Sequence, residues 1–180
     1  MPEQWPTTQP TDDPSEGHGC PPQERSVETL AMAERFLVWC LRQWVEGWRI
    51  GTPDSRALHD GFAVAYVPDG AAPFDAMMRA VVAGTQRQLD VRCLRCRFVS
   101  DDESMFLNLV AAGQRDRDDL LTAAFDEFMA PAAVRLASSA ALTLGAAMTA
   151  ADLLLPLTSI PGAARAASVQ AANRGLRLVQ

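Results

Sequence analysis

Apolar side chains recur at three- and four-residue steps along most of this chain, and no alternating pattern runs longer than a few residues. Such spacing lines one face of an α-helix, whereas a half-buried strand requires a period of two. The first stripe is Leu30, Ala33, Leu37, Cys40, Leu41, Trp44 and Trp48, with Ser26 as N-cap, Glu28 in the first turn and an end between Gly47 and Gly51. Phe36 and Trp39 widen it, while Glu34, Arg35, Arg42 and Glu46 fall on the remaining surface.

Further helices follow from caps and breakers. Thr52-Pro53-Asp54 restarts the pattern with a cap and a proline at the first helical position, ahead of Leu58, Phe62, Ala65 and Tyr66. Pro68-Asp69-Gly70 is a turn, and Pro73 opens a third helix that carries Phe74, Met77, Met78, Val81 and Val82 inward and ends near Leu89. Ser100-x-x-Glu103 is a capping box, in which serine accepts from the third helical amide and glutamate reaches back to the cap. It starts a helix with Met105, Phe106, Leu107, Leu109 and Val110 that stops around Gly113. A helix over 116–129 places Leu120, Leu121, Ala124, Phe125 and Phe128 inside. An Ala-rich helix then runs from Pro131 to about Leu155, its small residues allowing close approach of another helix, and a short last helix covers 163–175.

The expected fold class is therefore all-α, a bundle of six or seven helices with the Ala-rich helix near its middle. At 180 residues, 48% of them apolar, the chain suffices for one substantial core. Residues 1–24 hold six of the twelve prolines and read as a flexible arm, leaving 25–180 as a single helical domain. Trp5 is the one feature of that arm suited to docking on a neighbour.

Charge and composition narrow the function. All sixteen basic residues are arginine, which removes Schiff-base catalysis, a P-loop lysine and any lysine general base. A net charge of -6 argues against nucleic acid as a partner. Eight acidic residues lie between Ser100 and Glu127, and none between Leu153 and Gln180, so the C-terminal segment could dock on that acidic middle. The sixteen uncharged residues between Arg135 and Asp152 are too few to span a membrane, and the N-terminal residues lack a signal-peptide pattern. The expectation is a cytoplasmic protein.

The densest candidate for chemistry is Arg92-Cys93-Leu94-Arg95-Cys96-Arg97. A Cys-x-x-Cys pair can bind metal or form a disulfide, and neighbouring guanidinium groups favour the thiolate. Zinc needs about four ligands; Cys93 and Cys96 supply two, and His18-Gly19-Cys20 is the second pair that would complete a Cys3His site. A redox role at a helix N-terminus is less well served, because both thiols precede the Ser100 cap. Otherwise the pair is structural.

Other candidates are weaker. Cys40 belongs to the apolar face as a buried thiol. His59 and Asp60 are adjacent and so do not face each other on a helix. The Asp101-Asp102-Glu103 and Asp116, Asp118, Asp119 groups fit helix starts better than a carboxylate metal site. Trp39, Trp44 and Trp48, with Met32, Met77 and Met78, form either core or a pocket for an apolar ligand or haem, which His59, a cysteine or a methionine would have to ligate.

Cys96-x-x-x-Ser100-x-Asp102-Glu103, followed by an apolar helix and Gln114, resembles a pattern in uncharacterised all-helical proteins of proteobacteria. The resemblance covers about twenty residues and carries no activity with it. The function expected from the sequence is non-catalytic, acting through protein contacts as a homo-oligomer. The alternatives are a metal- or redox-responsive regulator using Cys93 and Cys96, and a small-ligand-binding helical domain.

Overall fold

A computed structural model describes residues 25–53 and 55–158. The arm at 1–24, with Trp5, His18 and Cys20, and the expected last helix at 163–175 lie outside the described residues. Within them the chain forms six α-helices, and the all-α expectation holds: α1 is Met32–Arg49, α2 Arg56–Val64, α3 Ala71–Gly84, α4 Asp101–Gly113, α5 Asp118–Asp126 and α6 Pro131–Ala150. The only sheet among them pairs β1, Arg25–Ser26, with β2, Phe98–Val99, antiparallel.

That small sheet delays the first helix. Ser26 does cap, but it caps a single 3₁₀ turn, Val27–Thr29, by accepting from Glu28 N at 3.2 Å. Val27 N donates to Arg97 O at 2.9 Å, which holds the chain against β2 until Leu30 is buried and α1 can begin at Met32. The second start also shifts. Thr52 N returns to Gly47 O at 2.7 Å, so Thr52 closes the end of α1, and Ser55 caps α2 by accepting from Leu58 N at 3.3 Å. Helix α3 stops at Gly84 rather than near Leu89, because Ala130 N takes Gly84 O at 2.8 Å and Thr85 bridges to Met129.

Helix α6 packs against α3, α4 and α5, with Ala137, Ala141, Leu144 and Met148 fully buried. By length and mean hydropathy, 1.2, it also meets the criterion for a membrane span. The small residues do allow close approach: Gly145 lies against the backbone of Gly113 and Gln114 where α4 ends. Helix α6 stops five residues earlier than expected. Asp152 takes the left-handed conformation (φ 58°), and Leu153 N bonds Met148 O at 3.0 Å, a Schellman closure. The core is completed by Trp44, Phe62, Phe74, Phe125 and Leu109. The Trp44 indole N–H, at the edge of this core, donates to Asp75 Oδ1 at 2.8 Å.

Two charged residues expected at the surface of α1 are instead buried, Glu34 at 2% exposure and Arg42 at 4%. Each has bonding that makes burial tolerable. Glu34 accepts from Ala31 N at 2.8 Å and pairs with Arg25 at 2.9 Å. In the opposite direction, Tyr66, expected on the inner face of α2, is 86% exposed.

Candidate functional site

Two features stand out, an arginine-centred clamp beneath the cysteine loop and an apolar groove on the face formed by α1, α2 and the chain after α6. The clamp is built on the first turn of α4. Ser100 Oγ accepts from Glu103 N at 3.1 Å, and the Glu103 carboxylate reaches back to Ser100 N at 3.0 Å, as the capping box predicts. The same carboxylate also accepts Arg42 Nε at 2.7 Å, Arg42 Nη2 at 2.8 Å and Arg92 N at 3.1 Å. Arg42 directs two further N–H groups to the carbonyls of Cys96 and Phe98, each at 2.7 Å. Burial opposes the Arg42 charge, but the Glu103 hydrogen bonds and charge outweigh it and raise the guanidinium above its ordinary value. A buried pair is tolerated when its lone pairs and protons are satisfied in this way.

Asp102, one residue earlier, secures the upstream part of the loop. It receives both Arg87 Nη atoms and Asp90 N, the latter at 2.7 Å, and Ser100 Oγ donates to Asp90 O. Burial works to raise the Asp102 carboxyl, but the Arg87 and Asp90 hydrogen bonds and the Arg87 charge hold it below its ordinary value. A carboxyl with a lower value folded than unfolded stabilises the fold above the unfolded value, and that contribution is lost as pH falls through the folded one. Thermal unfolding measured below about pH 4 should therefore show stability falling more steeply for wild type than for Asp102→Asn. Superimposable profiles would refute the assignment.

Asp102 and Glu103 are thus structural anchors. Their oxygens are engaged in these bonds rather than gathered into a carboxylate metal site. Asp116, Asp118 and Asp119 lie at the start of α5, beyond the other end of α4.

The cysteine pair sits on the loop these anchors hold. Residues 93–96 form a turn in which Cys96 N donates to Cys93 O at 3.0 Å. Cys93 is exposed, Cys96 half-buried, and among the described residues neither forms a disulfide. Among the described residues no group of three or more His, Cys, Asp or Glu side chains is placed to hold a metal. His18 and Cys20, the other ligands of the expected zinc site, lie outside the described residues. Cys40 is fully buried, and burial pushes its thiol well up. His59 is exposed on α2.

The groove has a volume of about 820 Å³. Phe36 and Trp39 of α1 form its floor, and the Trp39 ring lies so close to Gly61 that a Cβ there would fall 2.7 Å from Cη2. Phe36 meets Phe62 edge-on at 5.1 Å, which ties this floor to the core. Met32, Val64 and Tyr66 stand on the rim at 69%, 79% and 86% exposure, and Asp60 is the only charged lining residue among the described residues. The expected tryptophan and methionine cluster is thereby divided. Trp39 and Met32 face the groove, Trp44, Met77 and Met78 are core, and Trp48 stacks on Trp44 at 5.2 Å while remaining partly exposed.

Sequence reasoning missed Arg42 as a clamp, although Glu34, Val38 and Arg42 recur every four residues beside the main stripe. That spacing was the available signal for a second buried row. Of the groove it marked Trp39 and Met32, but not Tyr66, which follows the last turn of α2 in the left-handed conformation, φ 59°.

Comparison with protein-family models, curated proteins and solved structures finds no match, so the pattern from Cys96 to Gln114 leads to no family. The fold and the two features define an all-α domain with a loop clamped by buried charge and an open apolar face.

Proposed function

We propose that this protein is a non-catalytic interaction module that associates with a second copy of itself through the groove between α1 and α2. The observation that carries the reading is the coexistence of a groove and a projecting aromatic on one face. In a two-fold pairing each copy presents the same patch, so a knob beside a groove is self-complementary. Tyr66 is that knob. A bulky residue in the left-handed region is uncommon and costs stability, and such strain gathers at functional positions.

Sedimentation across micromolar to millimolar protein tests it. Wild type should form dimers, whereas Val64→Glu and Tyr66→Glu should be monomeric with unchanged helicity. Tyr66→Gly should also weaken association while stabilising the monomer by about 0.5–1 kcal/mol, since glycine adopts positive φ without strain. A wild-type protein that remains monomeric throughout the range would end the proposal.

A second reading rests on the groove volume, which falls within the range of small-molecule pockets, about 300–1,000 Å³. It predicts saturable quenching or enhancement of Trp39 fluorescence by an apolar probe, retained in monomeric Tyr66→Glu.

A further inference from the structure

The Cys93–Cys96 turn combines three properties that the groove reading does not use. The first is closure. A turn with this hydrogen bond brings its first and fourth Cα atoms within about 7 Å, and a disulfide requires roughly 4.4–6.8 Å. The Cys96 N to Cys93 O bond at 3.0 Å therefore brings the two Cα atoms close to the range a disulfide spans.

The second is fixation. Arg92 N is held by Glu103 at 3.1 Å, Cys96 O by Arg42 at 2.7 Å, and Arg97 O by Val27 N at 2.9 Å, so the turn is anchored on both flanks. The third is access combined with charge. Cys93 is exposed and Cys96 half-buried, an order that suits entry at the first sulfur and resolution by the second. Arg95 and Arg97 are exposed beside them, and Arg92 is half-buried.

We propose that Cys93 and Cys96 form a thiol–disulfide exchange site for an anionic low-molecular-weight disulfide of the glutathione type. The Cys93 thiol gives its proton to solvent, and the thiolate attacks one sulfur of the external disulfide. The external S–S bond breaks, and one thiolate leaves with the electron pair and takes up a proton. Cys96, likewise deprotonated, attacks the Cys93 sulfur of the mixed disulfide and expels the second thiol. The protein pair loses two electrons and two protons, and the external disulfide gains them as two thiols. The ring closes on Cys96, the residue whose backbone carbonyl accepts from Arg42.

The test uses the full chain, treated with chelator, incubated with oxidised glutathione, quenched by alkylation and mapped by mass spectrometry. The expected product is an internal disulfide on the peptide that contains both residues, with buried Cys40 unmodified. Cys96→Ser should stop at a glutathione adduct on Cys93, and Cys93→Ser should yield no internal disulfide. Arg95→Glu should slow the reaction several-fold more with oxidised glutathione than with neutral hydroxyethyl disulfide, because a thiolate effect acts on both and the charge attraction on the first alone. A pair that stays reduced in excess oxidised glutathione, or that ends as two separate adducts, overturns the proposal. An Arg95→Glu effect of the same size with both disulfides overturns the assignment of an anionic reactant.

Discussion

Glu103→Ala should destabilise the fold by about 3–5 kcal/mol, the cost of leaving a buried charge without its partner. The Glu103 side chain is fully buried and the Arg42 side chain is 3% exposed, so water cannot readily replace the lost carboxylate. Three protein groups lose an acceptor together: the Arg42 guanidinium, Arg92 N and Ser100 N. Domain stabilities are typically about 5–15 kcal/mol, so this one substitution removes a large share. Arg42→Met should cost a comparable amount by stranding the carboxylate. The double variant Arg42→Met/Glu103→Leu should lose clearly less than the sum, because no unpaired charge remains. Urea unfolding of the three proteins decides it. A Glu103→Ala loss below about 1 kcal/mol would show that solvent reaches Arg42 after all.

Gly145→Ala is expected to cost about 2–3 kcal/mol despite adding only a methyl group and improving helix propensity. A Cβ at 145 would lie 2.5 Å from Gln114 N and closer still to the Gly113 carbonyl carbon. From the other side, a Cβ at Gly113 would lie 3.0 Å from the carbonyl carbon of Ala141. Both obstacles are backbone, so no side chain can rotate away and α4 must separate from α6. Separation would also strain the Gln114 amide, which donates to Leu153 O at 2.6 Å and accepts from Leu155 N at 2.9 Å. Ala146→Leu, on the exposed side of the same turn, should change stability by less than about 0.5 kcal/mol. Equal melting temperatures for Gly145→Ala and Ala146→Leu would contradict this packing.

These two predictions differ in how far the sequence anticipates them. The capping box at Ser100 and Glu103 was legible, as were the small residues of α6 and the inward faces of α3, α4 and α5. Each depends on residues three or four apart, where helix geometry alone brings them together. The Arg42–Glu103 pair spans 61 residues, and nothing local distinguishes an arginine that meets a buried carboxylate from one that meets water. Helix limits were less legible than helix faces. Ser26 and Thr52 have capping chemistry, but the β1–β2 pairing and the return of Thr52 to Gly47 claimed their backbone groups first.

The sequence by itself determined that the chain is helical, which side of most helices is apolar, and that a capping box starts α4, because periodicity and capping act within a few residues. Only the tertiary structure decided that Arg42 joins α1 to Glu103 and the cysteine loop, that Gly113 and Gly145 meet, and that Tyr66 stands beside an open groove. These outcomes depend on which distant surfaces come together, since burial of a charge or exposure of an aromatic is set by the partner the fold supplies.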